Sequence, residues 1–357
     1  MAENVVRSTS EILQQATEWL KAAGIETPRN DAKLLLAEAF GVEPSDIEKS
    51  VLLDTPLHST LKDDSSDGVD VHRIDDGDDS EHTSQRISKT GKSGDTSGNP
   101  DISEEDNTDV LSDADDAAIR RFAVMVARRK QREPLQYIVG HAPFRYLDLE
   151  VGPGVFIPRP ETETVVQAAI DWLTQENVKP SRLVDLCAGS GAIGLSLVTE
   201  VAGSEVWAVE QDTQALEWTK RNEEKVFKDH SLAGYNYHLS HADATNAMTL
   251  SQLNGTIDAV VTNPPYVPLA QIPEQPEVRD YDPKTALYGG SSDGTYTPER
   301  IIVRAQKLLR SGGALVMEHD ISQAQLLADF AKTHGFRSAH TGDDLTGRPR
   351  YLFAIKQ

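Results

Sequence analysis

Residues 182–195 read Arg182-Leu183-Val184-Asp185-Leu186-Cys187-Ala188-Gly189-Ser190-Gly191-Ala192-Ile193-Gly194-Leu195. This pattern predicts a buried strand, a tight glycine-containing loop and the start of a helix. Glycines let the backbone approach a ligand closely, and the first N–H groups of the helix point into the same space. A glycine-rich turn is weak evidence by itself, so the neighbouring segments decide what it binds.

The next strand, residues 205–209, ends at Glu210. Glu210 follows the glycines by roughly 20 positions, where an acidic residue can accept hydrogen bonds from ribose hydroxyls. The alternative is a surface carboxylate near the start of a helix, where negative charge is favourable. The spacing favours a nucleoside-binding role.

A third apolar strand, residues 257–262, leads directly into Asn263-Pro264-Pro265-Tyr266. The Asn263 side-chain carbonyl and the Pro264 backbone carbonyl can both accept hydrogen bonds from one –NH2 group. The prolines fix φ and remove competing N–H donors, and Tyr266 offers a flat face to a planar group. Such a clamp suits a planar amine or amide nitrogen that must attack an electrophile. The alternative is a turn that ends the strand, because Asn and Pro are common turn residues.

Strands and helices alternate over the C-terminal two thirds of the chain. The predicted strands are residues 182–186, 205–209, 237–239, 257–262, 314–318 and 350–355, and the predicted helices are 162–175, 298–309 and 322–333. This alternation predicts an α/β fold with a mostly parallel sheet and helices on both faces. Ligands bind beyond the C-terminal ends of such strands, where the glycine loop, Glu210, Asp243 and Asn263 all fall.

The N-terminal residues show helical patterns instead. Predicted helices run from Ser8 or Ser10 to Ala23, from Asn30 or Asp31 to Phe40, and onward from Ser45. After a long interruption, a further helix is predicted to place Ile119, Phe122, Ala123 and Val126 on one face and Arg120, Arg121, Arg128, Arg129 and Arg132 on the other. Those arginines are interpreted either as a solvated face or as a docking surface for an acidic partner.

The interruption, at about residues 55–116, is strongly acidic. Residues 54–116 carry a net charge of −14 out of −22 for the whole chain, and they include no aromatic residue. Such a segment cannot bury enough apolar surface to offset chain entropy, so it is predicted to be disordered. An acidic docking tail for a basic partner is the alternative to a solvated insertion.

Three domains are therefore expected. Residues 1–133 form a helical substrate-docking domain that the insertion interrupts, residues 134–157 a β-hairpin connector, and residues 158–357 the catalytic domain. The single cysteine, Cys187, excludes an internal disulfide and a cysteine-based metal site. No run of 18 apolar residues and no signal-peptide pattern occur, which favours a soluble cytoplasmic protein without membrane contact.

The chain resembles the release factor glutamine methyltransferases, the PrmC/HemK family of S-adenosylmethionine-dependent enzymes. Five stretches carry this resemblance: residues 132–140, Phe156-Ile157-Pro158-Arg159-Pro160-Glu161-Thr162-Glu163, the 185–191 loop, Asn263-Pro264-Pro265-Tyr266, and the small-residue segment 286–294. It covers residues 117–357 well and residues 8–54 loosely. Two positions depart from the family pattern: Cys187 stands where Gly is usual and Ala188 where Thr is usual.

The resemblance implies a Rossmann-like class I methyltransferase sheet with S-adenosyl-L-methionine as cofactor and no metal. It implies cofactor contacts from Asp185 near the methionine end, from the main chain of Cys187, Ala188, Gly189, Ser190 and Gly191, from Glu210 at the ribose, and from Asp243, Ala244 and Asn263. A helix cap before residues 245–250 is the alternative role for Asp243. Arg159 and Glu161 either shape the substrate mouth or pair with each other as a brace.

The implied substrate is the glutamine of the Gly-Gly-Gln motif in class 1 peptide release factors, which places the enzyme in translation termination. Asn263, Pro264, Pro265 and Tyr266 would bind it and carry the reaction, with no general base. Three alternatives stay open: methylation of glutamine on a ribosomal protein, methylation of adenine in DNA, and a non-catalytic scaffold. A net charge of −8 outside the acidic segment disfavours direct contact with nucleic acid.

Overall fold

The computed structural model describes residues 8–61, 113–230 and 236–357. The expected disorder of the acidic insertion falls, for residues 62–112, outside the described residues. Over the described ranges, no helix is both long enough and apolar enough to cross a membrane.

Within residues 8–61 and 113–130, the N-terminal part forms the helices α1 (Thr9–Ala22), α2 (Pro28–Phe40), α3 (Pro44–Leu53) and α4 (Asp113–Lys130). Ser8 caps α1 through a capping box with Glu11, while α2 and α3 each begin at a proline, whose fixed φ suits the first helical position. Their apolar faces share one core that includes Leu20, Leu35, Ile47 and Phe122. This core joins helices on both sides of the insertion.

The structure shows ordered residues at both ends of the acidic insertion that was predicted to be disordered. Ser59 N donates to Asp115 Oδ1 at 2.7 Å, and Thr60 N donates to the Phe40 carbonyl at 2.9 Å. Residues 113–116, which were expected to be disordered, form the first turn of α4, where acidic side chains are favourable. Composition misled here because Asp115, an acidic residue, is buried as a hydrogen-bond acceptor.

The prediction that the arginines of α4 form a single exposed surface is wrong. Arg120 is exposed, but Arg129 is buried and bound to Asp31 and Glu277, and Arg121 donates to the Ala39 carbonyl. Ala123, which was expected on the apolar face, is exposed. The arginines mostly stabilise the fold, because their donors find carboxylates and carbonyls of the same chain.

A short helix, α5 (Leu135–Val139), precedes the hairpin of β1 (His141–Phe144) and β2 (Leu147–Glu150). The hairpin was predicted and the helix was not. Phe144 and Leu149 are buried, whereas Tyr146 lies exposed between the two strands. The predicted alternation thus holds in the strands and ends at the turn.

The C-terminal part is a seven-stranded sheet with helices on both faces. Its strands are β3 (Arg182–Asp185), β4 (Glu205–Glu210), β5 (Asn236–His241), β6 (Ile257–Thr262), β7 (Leu309–Glu318), β8 (Phe336–Asp343) and β9 (Pro349–Lys356). Its helices are α6 (Pro160–Gln175), α7 (Ala192–Glu200), α8 (Thr213–Asp229), α9 (Pro276–Tyr281), α10 (Lys284–Leu287), α11 (Tyr296–Leu308) and α12 (Ala324–Thr333).

The strand order is β5-β4-β3-β6-β7-β9-β8. The first five strands in this order are parallel, and β9 pairs antiparallel with both β7 and β8. The mostly parallel sheet was predicted, but β8 was not, because its exposed polar residues hide the strand pattern. The order reverses beside β3, so a crevice opens at the C-terminal ends of β3, β4 and β6.

Candidate active site

A cavity of about 270 Å³ lies at the C-terminal ends of β3, β4 and β6. Among the predicted site residues, those that line it are Cys187, Ala188, Gly189, Ser190, Glu210, Asp243, Ala244, Asn263, Pro265 and Tyr266. The topology therefore brings together residues from four separate stretches of the sequence. Asp185, Gly191, Pro264, Arg159 and Glu161 do not line it.

Asp185 lies beneath the glycine loop. It is fully buried, and its carboxyl oxygens accept from Cys187 N at 3.3 Å and from Gly194 N at 3.0 Å. Burial raises its pKa to about 7, although the two N–H donors oppose this shift. This geometry fits a residue that shapes the loop, and the expected contact with the methionine end stays a prediction.

Gly191 fixes the turn into α7. Its φ of +87° is a conformation that side chains rarely adopt, and a Cβ there would lie 2.9 Å from Leu195 Cδ1 and 3.1 Å from Thr219 Cγ2. The loop is also pinned by Ala188 N, which donates to the Val209 carbonyl at 3.0 Å. Ala188 and Cys187, the two departures from the family pattern, are thus accommodated without breaking the turn.

Glu210 ends β4 and faces the cavity. Its carboxylate accepts from Gly189 N at 2.8 Å and from Asp212 N at 2.7 Å. Burial raises the pKa of Glu210, and the N–H donors partly offset that effect. The predicted alternative of an ordinary surface carboxylate is wrong, because this side chain is buried and tied to the glycine loop.

Asp243 and Ala244 form another wall of the cavity. Asp243 Oδ1 accepts from Thr245 N at 2.8 Å and from Thr245 Oγ1 at 2.7 Å. No helix spans residues 245–250, all of which the structure describes, so the helix-cap alternative is wrong. Asp243 instead closes a local turn and keeps its carboxylate at the cavity.

The lining chemistry fits a nucleoside-containing cofactor. Two carboxylates, Glu210 and Asp243, are placed for hydroxyl and amine donors, and the apolar side chains of Leu186, Val209 and Ile301 offer a surface for a ring. Burial raises the pKa of the Cys187 thiol, so that side chain contributes a neutral surface. Within residues 8–61, 113–230 and 236–357, no group of His, Cys, Asp and Glu is arranged to hold a metal ion.

The Asn-Pro-Pro-Tyr segment faces the same cavity. Asn263 is half-buried, and its Nδ2 donates to Thr162 Oγ1 at 3.3 Å. The Tyr266 hydroxyl donates to Glu318 Oε1 at 3.0 Å. Pro264 is buried beside them.

Sequence reasoning missed two residues of this site, Thr162 and Glu318. Thr162 Oγ1 donates to Glu318 Oε2 at 2.6 Å across 156 positions of sequence. Glu318 is the last residue of β7, so the same rule that selected Glu210 and Asn263 could have selected it. Thr162 stands inside the Ile-Pro-Arg-Pro-Glu-Thr-Glu segment that was noted for its resemblance.

Arg159 and Glu161 do not pair with each other. Arg159 Nη2 donates to Asp282 Oδ2 at 2.6 Å, and its guanidinium stacks over the Phe156 ring at 4.8 Å. Burial raises the pKa of Asp282 to about 6 against the opposing effect of Arg159. The predicted Arg159–Glu161 brace is therefore wrong, and Arg159 instead joins the start of α6 to the segment after α9.

The small-residue segment 286–294 packs against the end of the Asn-Pro-Pro-Tyr segment, residues 263–266 (the clamp). A Cβ at Gly294 would lie 2.1 Å from the Tyr266 carbonyl oxygen, and φ at Gly294 is +75°. Tyr266 N and Val267 N both donate to the Leu287 carbonyl, while Gln323 Nε2 donates to the Tyr266 carbonyl at 2.8 Å. The segment needs small residues because backbone lies directly against backbone.

This sheet order, with a glycine loop, an acidic residue ending β4 and Asn-Pro-Pro-Tyr after β6, defines a class I S-adenosylmethionine-dependent methyltransferase. Residues 11–54 and 106–140 match the family model described as PrmC N-terminal domain, and residues 136–277 match the one described as conserved hypothetical protein 95. The chain belongs to the release factor glutamine methyltransferase family. S-adenosylmethionine is its cofactor.

The similarity covers nearly the whole chain. The release factor glutamine methyltransferase of Bifidobacterium longum is 51% identical over 346 residues, 97% of this chain and 99% of that protein. The Streptomyces coelicolor enzyme is 46% identical over 249 residues, 69% and 84% of the two chains. Among solved structures, the 16S rRNA N2 G1207 methyltransferase of T. thermophilus is similar at a TM-score of 0.41 and 20% identity, over 61% of this chain and 50% of that chain.

Proposed function

We propose that this protein transfers a methyl group to the side-chain amide nitrogen of the glutamine in the Gly-Gly-Gln motif of class 1 release factors. The observation that carries the proposal is that Asn263 and the glycine loop line one cavity. A carboxamide held at Asn263 therefore lies beside the cofactor site. The release factor is proposed as the protein substrate because the similar enzymes of Bifidobacterium longum and Streptomyces coelicolor are release factor glutamine methyltransferases.

The difficulty of the reaction lies in the nucleophile. S-adenosylmethionine supplies a methyl carbon on a sulfonium, which is already a strong electrophile. An amide nitrogen is a poor nucleophile because its lone pair is delocalised into the carbonyl. The protein therefore has to orient the amide and bias its electrons.

Asn263 and Pro264 are proposed to do this with two oxygen acceptors. Asn263 Oδ1 and the Pro264 carbonyl would accept both N–H bonds of the substrate –NH2 group and hold its nitrogen in line with the C–S bond. As the N–C bond forms, the C–S electron pair stays on sulfur and positive charge grows on nitrogen. Both acceptors then bind more tightly than in the ground state, which lowers the barrier. The product nitrogen releases one proton to water, so no general base is assigned.

Tyr266 and the cofactor residues complete the proposed machinery. The Tyr266 ring lines the cavity beside Asn263 and Pro265, where it can lie along the amide plane. Glu210 is proposed to bind the ribose and Asp243 the adenine amine, with Ala244 beside the ring. Fixing the two reactants at near-attack distance could supply on the order of 7–11 kcal/mol.

We further propose the domain roles expected from the sequence. Residues 1–133 would dock the release factor, residues 134–157 connect, and residues 158–357 carry the reaction. Arg159, which braces Asp282, and Glu161 would shape the mouth through which the glutamine enters.

Direct contact with DNA is disfavoured by how the arginines are used. Arg129 and Arg132 are paired with Glu277, and Arg159 is paired with Asp282. Guanidinium groups that are committed to carboxylates of the same chain are poor ligands for a phosphate track.

The test is a parallel incubation of the purified chain with labelled methyl donor and release factors, ribosomal proteins or DNA, followed by mass mapping of the product. We expect one methyl group on the Gly-Gly-Gln glutamine of release factors. Labelling only of a ribosomal protein or of adenine would replace the proposed substrate. No transfer to any of them would contradict the proposed function.

A further inference from the structure

A buried carboxylate that the proposed reaction does not use lies beside the Asn-Pro-Pro-Tyr segment. Glu318 is 1% exposed, and it accepts hydrogen bonds from the hydroxyl groups of Thr162 and Tyr266. Burial raises the pKa of Glu318, whereas both hydroxyl donors and the positive charge of Arg350 favour its ionised form. A buried charged group is costly unless its hydrogen bonds are made, and here two segments supply them.

The direction of these hydrogen bonds fixes the orientation of Asn263. Thr162 Oγ1 donates to Glu318 Oε2, so the one hydroxyl proton of Thr162 is committed to Glu318. Toward Asn263, Thr162 Oγ1 can then only accept, and the structure places Asn263 Nδ2 against it at 3.3 Å. The other end of the carboxamide, Oδ1, is left for the cavity.

This matters because an asparagine side chain is nearly symmetric in shape. Turned over by 180° about its last bond, Asn263 would fill the same volume but present –NH2 to the cavity. Two –NH2 groups facing each other cannot make the hydrogen bond on which the proposed reaction depends. Something must select one orientation, and packing alone does not do so.

We propose that Glu318 is a positioning residue that acts through Thr162 to hold the Asn263 carboxamide with its oxygen toward the substrate amide. This inference rests on the proposed function and deepens it. Glu318 also fixes the Tyr266 hydroxyl, so one carboxylate sets both the acceptor and the flat face of the clamp. Such preorganisation costs no reorganisation at the moment of reaction.

The central test is Glu318→Gln. The variant side chain has nearly the same size, but its –NH2 group donates to one of the two hydroxyls and frees a hydroxyl proton. We expect kcat on release factor to fall about 10²-fold, the size associated with losing one preorganised hydrogen bond. The KM for release factor and the Kd for S-adenosylmethionine should change by less than about threefold, since neither contact is removed.

Thr162 provides the second arm and covers the case in which Glu318→Gln fails to fold. Thr162→Val removes the relay and should lower kcat as Glu318→Gln does, whereas Thr162→Ser keeps the hydroxyl and should restore most of the lost turnover. The double variant Thr162→Val with Glu318→Gln should lose no more than the worse single variant, because both act on one chain of bonds. Unchanged kcat in Thr162→Val overturns the inference.

Asp258→Asn is the matched control. Asp258 is a buried acid at the opposite end of the sheet, where it accepts from Arg182 N and Arg310 Nε. Its loss should lower stability and leave kcat per cofactor-binding enzyme unchanged. A fall in kcat equal to that of Glu318→Gln would mean that any buried acid gives the effect, and would overturn the inference. The wild-type enzyme is assayed alongside the variants. Only failure of the proposed function would leave the wild-type enzyme without turnover, so that failure is distinguished from failure of this inference.

Discussion

The guanidinium of Arg129 in α4 reaches Glu277 Oε1 in α9 at 2.7 Å, over 148 positions of sequence. The same guanidinium donates to Asp31 Oδ2 of α2 at 2.8 Å. Arg132 adds a second bond to Glu277. One buried cation therefore links the N-terminal helices to the segment between Asn-Pro-Pro-Tyr and the small-residue segment 286–294.

We expect Arg129→Ala to lower the free energy of unfolding by about 3–5 kcal/mol, because it leaves the buried Asp31 carboxylate without its cationic partner. Urea denaturation measures the change. Arg120→Ala is the matched control, since Arg120 lies on the same helix and is exposed. Equal effects of the two substitutions would contradict the assigned link.

A second prediction concerns pH and the contact between α2 and the hairpin. The carboxylates of Glu38 and Asp148 raise the pKa of His141 to about 9 from 6.5. A raised pKa favours the protonated folded state, so this contribution to stability is complete below about pH 6.5 and is lost as the pH rises toward 9. In unfolding measurements across that range, His141→Gln should remove this loss. Glu38→Gln should reduce the loss of stability. If His141→Gln kept the wild-type pH dependence, His141 would be excluded as the source of that loss.

Sequence reasoning predicted which residues meet at one cavity because strand ends share one edge of a parallel sheet. Glu210 and Asn263 needed only that rule and their spacing. Thr162 and Glu318 were missed because a side-chain hydrogen bond between distant segments leaves no periodic signal in the sequence. The arginines of α4 were ambiguous for the same reason: the pattern shows a charged face, but only the fold shows which carboxylates meet it.

The acidic insertion gives a third prediction. The described residues that flank it are tied by Ser59 N to Asp115 and by His58 Nδ1 to the same carboxylate. Replacing residues 62–112 with a short Gly/Ser linker should change the free energy of unfolding by no more than about 1–2 kcal/mol, because loop-closure entropy varies slowly with length. Turnover should be retained. Extending the deletion back to residue 55 removes the contacts of residues 58–60 and should cost more, as thermal unfolding would show.

Asn263→Ala is the fourth prediction. Loss of one acceptor that strengthens in the transition state should lower kcat about 10²- to 10³-fold. The Kd for S-adenosylmethionine, measured by calorimetry, should rise by less than about tenfold because the glycine loop and Glu210 are intact. Asn254→Ala is the control, since Asn254 lies before β6 at the opposite end of that strand and bonds Arg304. Retained turnover on release factor in Asn263→Ala would refute its assigned role.

Gly294→Ala, compared with Gly255→Ala, distinguishes the effect of backbone strain from the effect of close packing against residues 263–266. A Cβ there would lie 2.1 Å from the Tyr266 carbonyl oxygen, so the segment must move away from the clamp. Gly255→Ala is a matched control, because Gly255 has a similar φ of +72° and a Cβ added to it would meet no atom within 4 Å. Both substitutions should lose about 1–2 kcal/mol of stability from the left-handed backbone. Only Gly294→Ala should also lower kcat on release factor, because Tyr266 and Asn263 shift together. If both variants keep wild-type kcat, the packing of segment 286–294 does not set the geometry of the clamp.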